Sequence, residues 1–362
     1  MQIDFHHAAV YVLARLAGFA HAEAATVAHA SQYVDDSNAM GTLHFTDGSS
    51  YAHIASAHKV FDLDHNANSR EDYGVWLPFH FLPGNNGADY GTLPDVPLTQ
   101  RLLCAEDSPI ADAMWQHCRE NASGTNALYR LGITAHVYLD TFSHQGFVGF
   151  RHKINEASHL AMIEPAGEDI LTDIQAEVAD LLALGHGGAY TYPDLPYLTW
   201  SYDDSFGQTV RRANPDAYLR ASERLFAQFI YYRGEDPDTR LQSSDLARIE
   251  ALITGQTEAD GTVRHMEWMA QIVGGAFSFG ALNANDAATL HYDAGSWEQA
   301  ALGQRRNLIT AALPMTRPAG FDDSPWKLFN DVLIEHQQMV LNELLPACQL
   351  PASYDAATSA GI

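Results

Sequence analysis

One stretch of this chain constrains its fold more than any other. From Ala135 to Gln145 the residues read AHVYLDTFSHQ, with His136, Asp140 and His144 repeating every four positions inside an apolar helical pattern. The residues before it, Asn126 to Thr134, are apolar at the same spacing, so a core helix is expected over about 126–145. A core helix rarely carries polar groups without partners. Positions four apart lie about 6 Å apart along the axis and drift about 40° around it, whereas His136 and His144 are about 12 Å apart. One ion does not span that distance. The spacing therefore predicts two metals, with Asp140 between them and one imidazole on each side. Core histidines bonded to backbone carbonyls explain one such residue more readily than three in register.

The rest of the composition narrows the function classes. The chain has 362 residues, 46% of them apolar, enough for a sizeable core. Lys and Arg total 20 against 45 Asp and Glu, a formal charge of −25. An extended polyanion is repelled by such a surface, which excludes a duplex nucleic-acid binder and docking by basic patches on anionic lipid. A metal cluster inverts the field locally, so small phosphodiesters stay compatible. The three cysteines (Cys104, Cys118, Cys348) form no CxxC pair, giving neither a disulfide framework nor a thiolate zinc site. The first residues lack a basic region followed by an apolar core, and no run of about 18 apolar residues occurs. No transmembrane segment and a cytoplasmic location are expected.

Period-2 alternation is scarce, and helical patterns appear at about 7–17, 21–36, 108–121, 126–145, 168–184, 215–233, 244–255, 263–280, 296–313 and 325–345. The fold class expected is all-α, a multi-helix bundle. Ser108-Pro109, Asn214-Pro215 and Ser324-Pro325 read as N-caps followed by proline at the first helical position. Two long loops, about 62–100 and 185–208, are rich in Gly, Pro, Asp and aromatics, and loops of that length are usually functional. The chain divides into a metal-binding helical core (1–210), further helices packed on the same domain (211–350) and a frayed tail (351–362).

Eighteen histidines are an excess, and their placement suggests further ligands. His6 and His7 follow Asp4 at the head of an apolar helix; Asp35 and Asp36 end the second helix, where a carboxylate opposes the helix dipole. His58, His80 and the glycine-flanked His186 are the outlying candidates, ahead of His44 and His53. His21, His29, His117 and His336 fit solvated or internally satisfied helix positions. Nitrogen and oxygen donors without sulfur suit catalytic zinc with one position open to water. Phe79, Phe81, Tyr190 and Trp200, with Trp76, Tyr192, Tyr197 and Tyr202, are candidates to wall a substrate cleft. Asp194, Asp203 and Asp204 are candidates for a base or an extra ligand.

An N-terminal histidine, an aspartate some thirty residues on, a further histidine, an HxxxDxxxH helix and a later histidine together resemble the zinc-dependent phospholipase C superfamily. The stretch Leu131 to His144 is similar to the helix in the catalytic region of glycosylphosphatidylinositol-specific phospholipase D, and the single-strand-specific zinc nucleases share the fold. The resemblance covers roughly residues 1–200. It implies an all-α protein with two or three zinc ions that hydrolyses a small or lipid phosphodiester with water activated by the metals. By the same resemblance Asp140 is the bridging carboxylate, Asp35 or Asp36 the early one, and His6 or His7 the first histidine. His136, His144, His58 or His80, and His186 complete the set, with Asp140 and Asp36 as the catalytic carboxylates. The chain departs from the secreted enzymes in having Gly146 six residues after the aspartate and no N-terminal tryptophan. It also resembles an uncharacterised bacterial family sharing the DFHH, QYVDD, SAHK and PFHFLPGN stretches. The absence of HExxH and of any His-Asp dipeptide disfavours a metalloprotease and an HD-type phosphohydrolase. A nuclease on the same fold, and a non-enzymatic interaction protein with structural zinc, are the alternatives.

Overall fold

Where the apolar stripes of the helices meet decides which way the polar face of the central helix looks. The computed structural model describes residues 1–58, 69–165, 184–303 and 314–362. A π-helical turn at Asp4–Ala9 runs into α1 (Val10–Leu16), followed by α2 (His21–Asp36). β1 (Gly41–His44) and β2 (Ser50–His53) form an antiparallel hairpin. Next come α3 (Ser69–Phe79), α4 (Leu98–Arg101), α5 (Pro109–Glu120) and α6 (Ala127–Ser143). β3 (Ser158–Glu164), β4 (Thr199–Asp203) and β5 (Thr209–Ala213) make a three-stranded antiparallel sheet with β4 in the middle. The C-terminal half adds α7 (Asn214–Tyr232), α8 (Ser243–Gly255), α9 (Gly261–Gly274), α10 (Ala284–Leu290), α11 (Ser296–Leu302) and α12 (Pro325–Met339).

The protein is thus mostly helical but not all-α, because two small sheets stand beside the bundle. β4 lies inside a segment expected to be loop. Its five residues, TWSYD, are buried on both faces in part, so no clean alternation marks it in the sequence. α3 likewise occupies a stretch expected as loop, its pattern obscured by Gly74 and by Pro78 in the last turn. Of the expected helix 168–184, all but Leu184 lies outside the described residues, as does 304–313 of the expected helix 296–313. The last residues do not fray: Tyr354–Ser359 is helical, with Ala357 buried and Tyr354 edge-on to Phe150 at 6.2 Å. Among the described residues, no helix is long and apolar enough to cross a membrane.

Local chemistry explains the helix starts. Ser108 and Ser324 accept hydrogen bonds from Ala111 N and Lys327 N as N-caps, each ahead of its proline. Asn214 does not cap its helix. Its side-chain amide donates to the Tyr192 and Leu195 carbonyls and its oxygen accepts from the Trp200 indole, so it anchors the preceding loop instead.

α6 is the buried centre of the bundle, with every residue from Leu131 to Ser143 buried. α2 crosses it at Gly132, where an added Cβ would stand 2.6 Å from both Ala30 Cβ and the Val27 carbonyl. That approach brings the last turn of α2, with Asp35, beside His136. α9 packs on the N-terminal turn, fastened by the Arg264 guanidinium donating to Asp4 at 2.6 Å. α12 lies against α3 and α6, and its His336 Nε2 sits 3.1 Å from the Pro78 carbonyl with the ring stacked on Phe79 at 5.5 Å.

Gly132→Ala is expected to force α2 and α6 apart and destabilise the fold by about 1–3 kcal/mol. Urea unfolding checks this, an unchanged midpoint being the contrary result. His336 gives a pH signature. Burial lowers it from the ordinary 6.5 to about 4, so between those values the unfolded chain binds a proton that the folded chain does not. Its contribution is fully present above pH 6.5 and is lost as pH falls towards 4, on the order of 3 kcal/mol in all. His336→Gln should remove about one proton from the measured slope of stability against pH over that window.

Candidate metal centre

Five parts of the chain deliver side chains to one buried point beside α6. The π-helical turn brings His6, the end of α2 brings Asp35, and the residue after α3 is His80. α6 supplies His136 and Asp140, with His144 as its C-cap residue. Two 3-10 turns, Gly187–Ala189 and Tyr192–Asp194, bring His186 and Asp194. Gly185 just before them has φ +56°, and a Cβ there would stand 2.3 Å from the Phe81 ring. Only glycine lets that loop approach so closely.

Asp140 is the hub. Its Oδ1 lies 2.7 Å from the Met1 amino nitrogen and 3.1 Å from His6 Nε2, while its Oδ2 lies 3.0 Å from His80 Nδ1, 3.3 Å from His136 Nε2 and 3.6 Å from His144 Nδ1. Asp194 is a second focus, 3.2 Å from His144 Nε2, 3.3 Å from His186 Nε2 and 3.1 Å from the Met1 amine. Asp35 Oδ1 is 3.8 Å from both His80 and His136. Three groups have their donor atoms within 4.8 Å of one another: His6, His136 and Asp140; Asp35, His80 and His136; and His144, His186 and Asp194. These buried His/Asp groups have the donor set and spacing to hold metal ions.

The outer nitrogens fix the tautomers. His80 Nε2 donates to the Ser56 carbonyl at 2.9 Å, His144 Nδ1 to the His80 carbonyl at 2.8 Å, and His186 Nδ1 to the Tyr190 carbonyl at 2.7 Å. A neutral imidazole bonded this way turns a lone pair, not a proton, inward, His80 towards Asp140 and Asp35 and His144 towards Asp194, whereas a charged His186 keeps its proton towards Asp194. Lone pairs facing carboxylates repel unless a cation lies between them, and a backbone acceptor behind a ligand histidine is the usual outer support of a metal site. His6 Nδ1 and His136 Nδ1, both buried, have no hydrogen-bond partner among the described residues.

The electrostatics have the same cause. Burial lowers His6 to about 4, takes His136 well below its ordinary value and lowers His144. Burial works to raise Asp140 and Asp194, but neighbouring histidines and the Met1 ammonium outweigh it and hold both carboxyls well below the usual range. Asp35 is raised well above it by burial and by the Asp140 charge. Burial opposes the charge on the Met1 amine too, yet Asp140, Asp194 and Asp35 raise it to about 11. His186 is also raised, since Asp194 outweighs burial there. Ionised carboxylates at this depth demand positive charge, and the ammonium and His186 supply it in this arrangement.

This chain belongs to the DUF6765 family. The model of that family, described as a family of unknown function, matches residues 1–344. No curated protein and no solved structure matches the chain. The span matched in the family takes in the centre and the C-terminal helices through α12.

Several expected site residues fall elsewhere. His7 follows His6 on the turn and so points away, its Nδ1 2.9 Å from His265 Nε2. Asp36 is turned from the groups, accepting from Tyr292 at 2.6 Å and Gln32 at 3.1 Å; Asp35 is the carboxylate that faces in. His58 lies edge-on to Trp76 at 6.3 Å, outside the three groups, which His80 joins instead. The expected aromatic wall is largely packing: Phe79 and Trp200 are fully buried, and Phe81 stacks on His144 at 4.7 Å. Tyr190, with φ 52°, contributes its carbonyl to His186. Of the three loop aspartates only Asp194 reaches the centre; Asp203 bonds His159 and Thr209, and Asp204 closes a turn. The Met1 amine is the one group that side-chain spacing does not reveal.

His136 belongs to two of the groups and His144 to one. His136→Ala is therefore expected to lower any divalent-metal uptake at the Asp35 side while sparing the Asp194 side, and His144→Ala the reverse. Equilibrium dialysis of the two variants and their double variant checks this, with additive losses expected.

Proposed function

We propose that this chain is a zinc-dependent phosphodiesterase resembling the zinc-dependent phospholipase C superfamily, acting on a small phosphodiester. The observation that carries the reading is Asp140, whose two oxygens face different sets of nitrogen donors, the arrangement a bridging carboxylate requires. His6, His136 and Asp140 would hold one ion beside Oδ1, Asp35, His80 and His136 a second beside Oδ2, and His144, His186 and Asp194 a further one. Bound zinc supplies Lewis acidity towards a phosphoryl oxygen and makes water a nucleophile near neutral pH.

The chain's own residues supply orientation and charge. Each group offers three protein atoms, one fewer than a closed tetrahedral structural site, which favours catalysis over structural zinc. Asp35 is 29% exposed and Asp194 13%, whereas His6, His136 and Asp140 are at most 1% exposed, so the open side lies at Asp35 and Asp194. Asp35 takes the role of proton acceptor for an entering water, its second oxygen held 3.4 Å from the Gln32 amide. Phe79 and Trp200 lie in the core and so do not wall a cleft for an acyl chain. The −25 formal charge repels a long polyanion. Both favour a small phosphodiester over a lipid or a nucleic acid.

The zinc-loaded chain is expected to hydrolyse bis-p-nitrophenyl phosphate, with loss on chelation and recovery on zinc addition. Asp140→Asn should lower both the zinc content and the rate, the rate by more than about a hundredfold. A fully loaded chain that cleaves no phosphodiester would instead favour structural zinc.

A further inference from the structure

α2 ends on two consecutive carboxylates, and the first of them, Asp35, belongs to the groups of donors while Asp36 does not. A carboxylate at a helix C-terminus works against the helix dipole, so Asp36 needs a partner. It has two. The Tyr292 hydroxyl donates to Asp36 Oδ2 at 2.6 Å, and the Gln32 side-chain amide, one turn earlier on α2, donates to the same oxygen at 3.1 Å. That amide also reaches the second oxygen of Asp35 at 3.4 Å. A chain of bonds therefore runs from Tyr292 through Asp36 and Gln32 to Asp35, and its first link joins residues 256 positions apart in sequence.

Each link has one sense. An ionised carboxylate only accepts, so the Gln32 nitrogen faces the two aspartates, and its buried Oε1 has no hydrogen-bond partner among the described residues. Burial and the Asp36 charge push the Tyr292 hydroxyl well above its ordinary range, which keeps it a donor. The ring of Tyr292 has contacts that do not involve the hydroxyl, 4.7 Å from His29 and 5.4 Å from His7. At the far end Asp35 Oδ1 stands 3.8 Å from both His80 Nδ1 and His136 Nε2, with Oδ2 turned to the amide. The amide thus selects which oxygen looks inward. Asp35 is 29% exposed where His80 and His136 are at most 4%, so packing fixes its rotation least and the hydrogen bond matters most.

We propose that Tyr292 is a positioning residue of the metal centre, its hydroxyl acting through Asp36 and the Gln32 amide to set the direction in which Asp35 faces His80 and His136. The inference rests on Asp35 as a metal ligand and is independent of hydrolysis. A hydrogen-bonded partner behind a ligand aims its lone pairs, and losing one costs about ten- to a hundredfold in metal affinity. Tyr292 and Gln32 share one oxygen of Asp36, so breaking the Tyr292 bond releases the anchor of the amide. The segment between α10 and α11 then tunes the open side of the centre without touching an ion.

The test is cobalt(II) titration of the full-length chain, read by visible absorption. Tyr292→Phe keeps the ring and removes only the hydroxyl. It should weaken, by about tenfold or more, the same site that Asp35→Asn weakens, and leave intact the affinity that His144→Ala removes. Gln32→Met, which deletes the middle link, should do the same. The double variant should lose no more than the more affected single variant, because both substitutions break one chain; additive losses, or losses spread to the His144 group, mark general loosening and would overturn the proposal. So would a Tyr292→Phe isotherm that matches wild type while that of Asp35→Asn is weakened. An Asp35→Asn isotherm equal to wild type would defeat Asp35 as a ligand and this inference with it, whereas a loaded chain that cleaves no phosphodiester defeats only the hydrolytic reading.

Discussion

A carboxylate buried at the centre of a helical bundle is the constraint to which the rest of the structure answers. Asp140 is 1% exposed, and a lone ionised carboxyl at that depth costs far more than one ordinary contact returns. The fold surrounds it with nitrogen: His6, His80, His136, His144 and the Met1 amine all come within 3.6 Å of its oxygens. Those donors arrive from segments far apart in sequence, so the whole arrangement exists only in the folded chain. Any metal held there would be coupled to folding, because the donor set cannot assemble beforehand.

The helix at the heart of the centre was legible in the sequence because its signal is periodic. His136 and Asp140 lie on one face of a helix whose apolar residues fix which face is inward, and the structure differs from that expectation by two residues at most. His80 and His186 carried weaker marks, a flanking pair of aromatics and a run of glycines. The choice between neighbours was not legible. His6 against His7 and Asp35 against Asp36 turn on about 100° of helix rotation, which depends on tertiary packing rather than on local pattern. Asp194 was one of three loop aspartates, and nothing local separates it from Asp203 or Asp204.

The aromatics failed as markers for a related reason. Phe79, Phe81 and Trp200 lie in segments that looked like loops, where large apolar side chains suggest a cleft. Those segments contain α3 and β4, which give the same side chains ordinary places in the core. The error in secondary structure and the error in the substrate wall are one error. Gly74 and Pro78 hid the helix, and burial on both faces hid the strand.

The π-helical turn at Asp4–Ala9 has a consequence of its own. Because neighbouring residues of a helical turn point in different directions, it sends two consecutive imidazoles into separate basins, one shared with Asp140 and the other with His265. A single strip of backbone is thus the common wall of both basins. Any rotation of that strip moves the two rings in concert, so neither basin can be reshaped without disturbing the other.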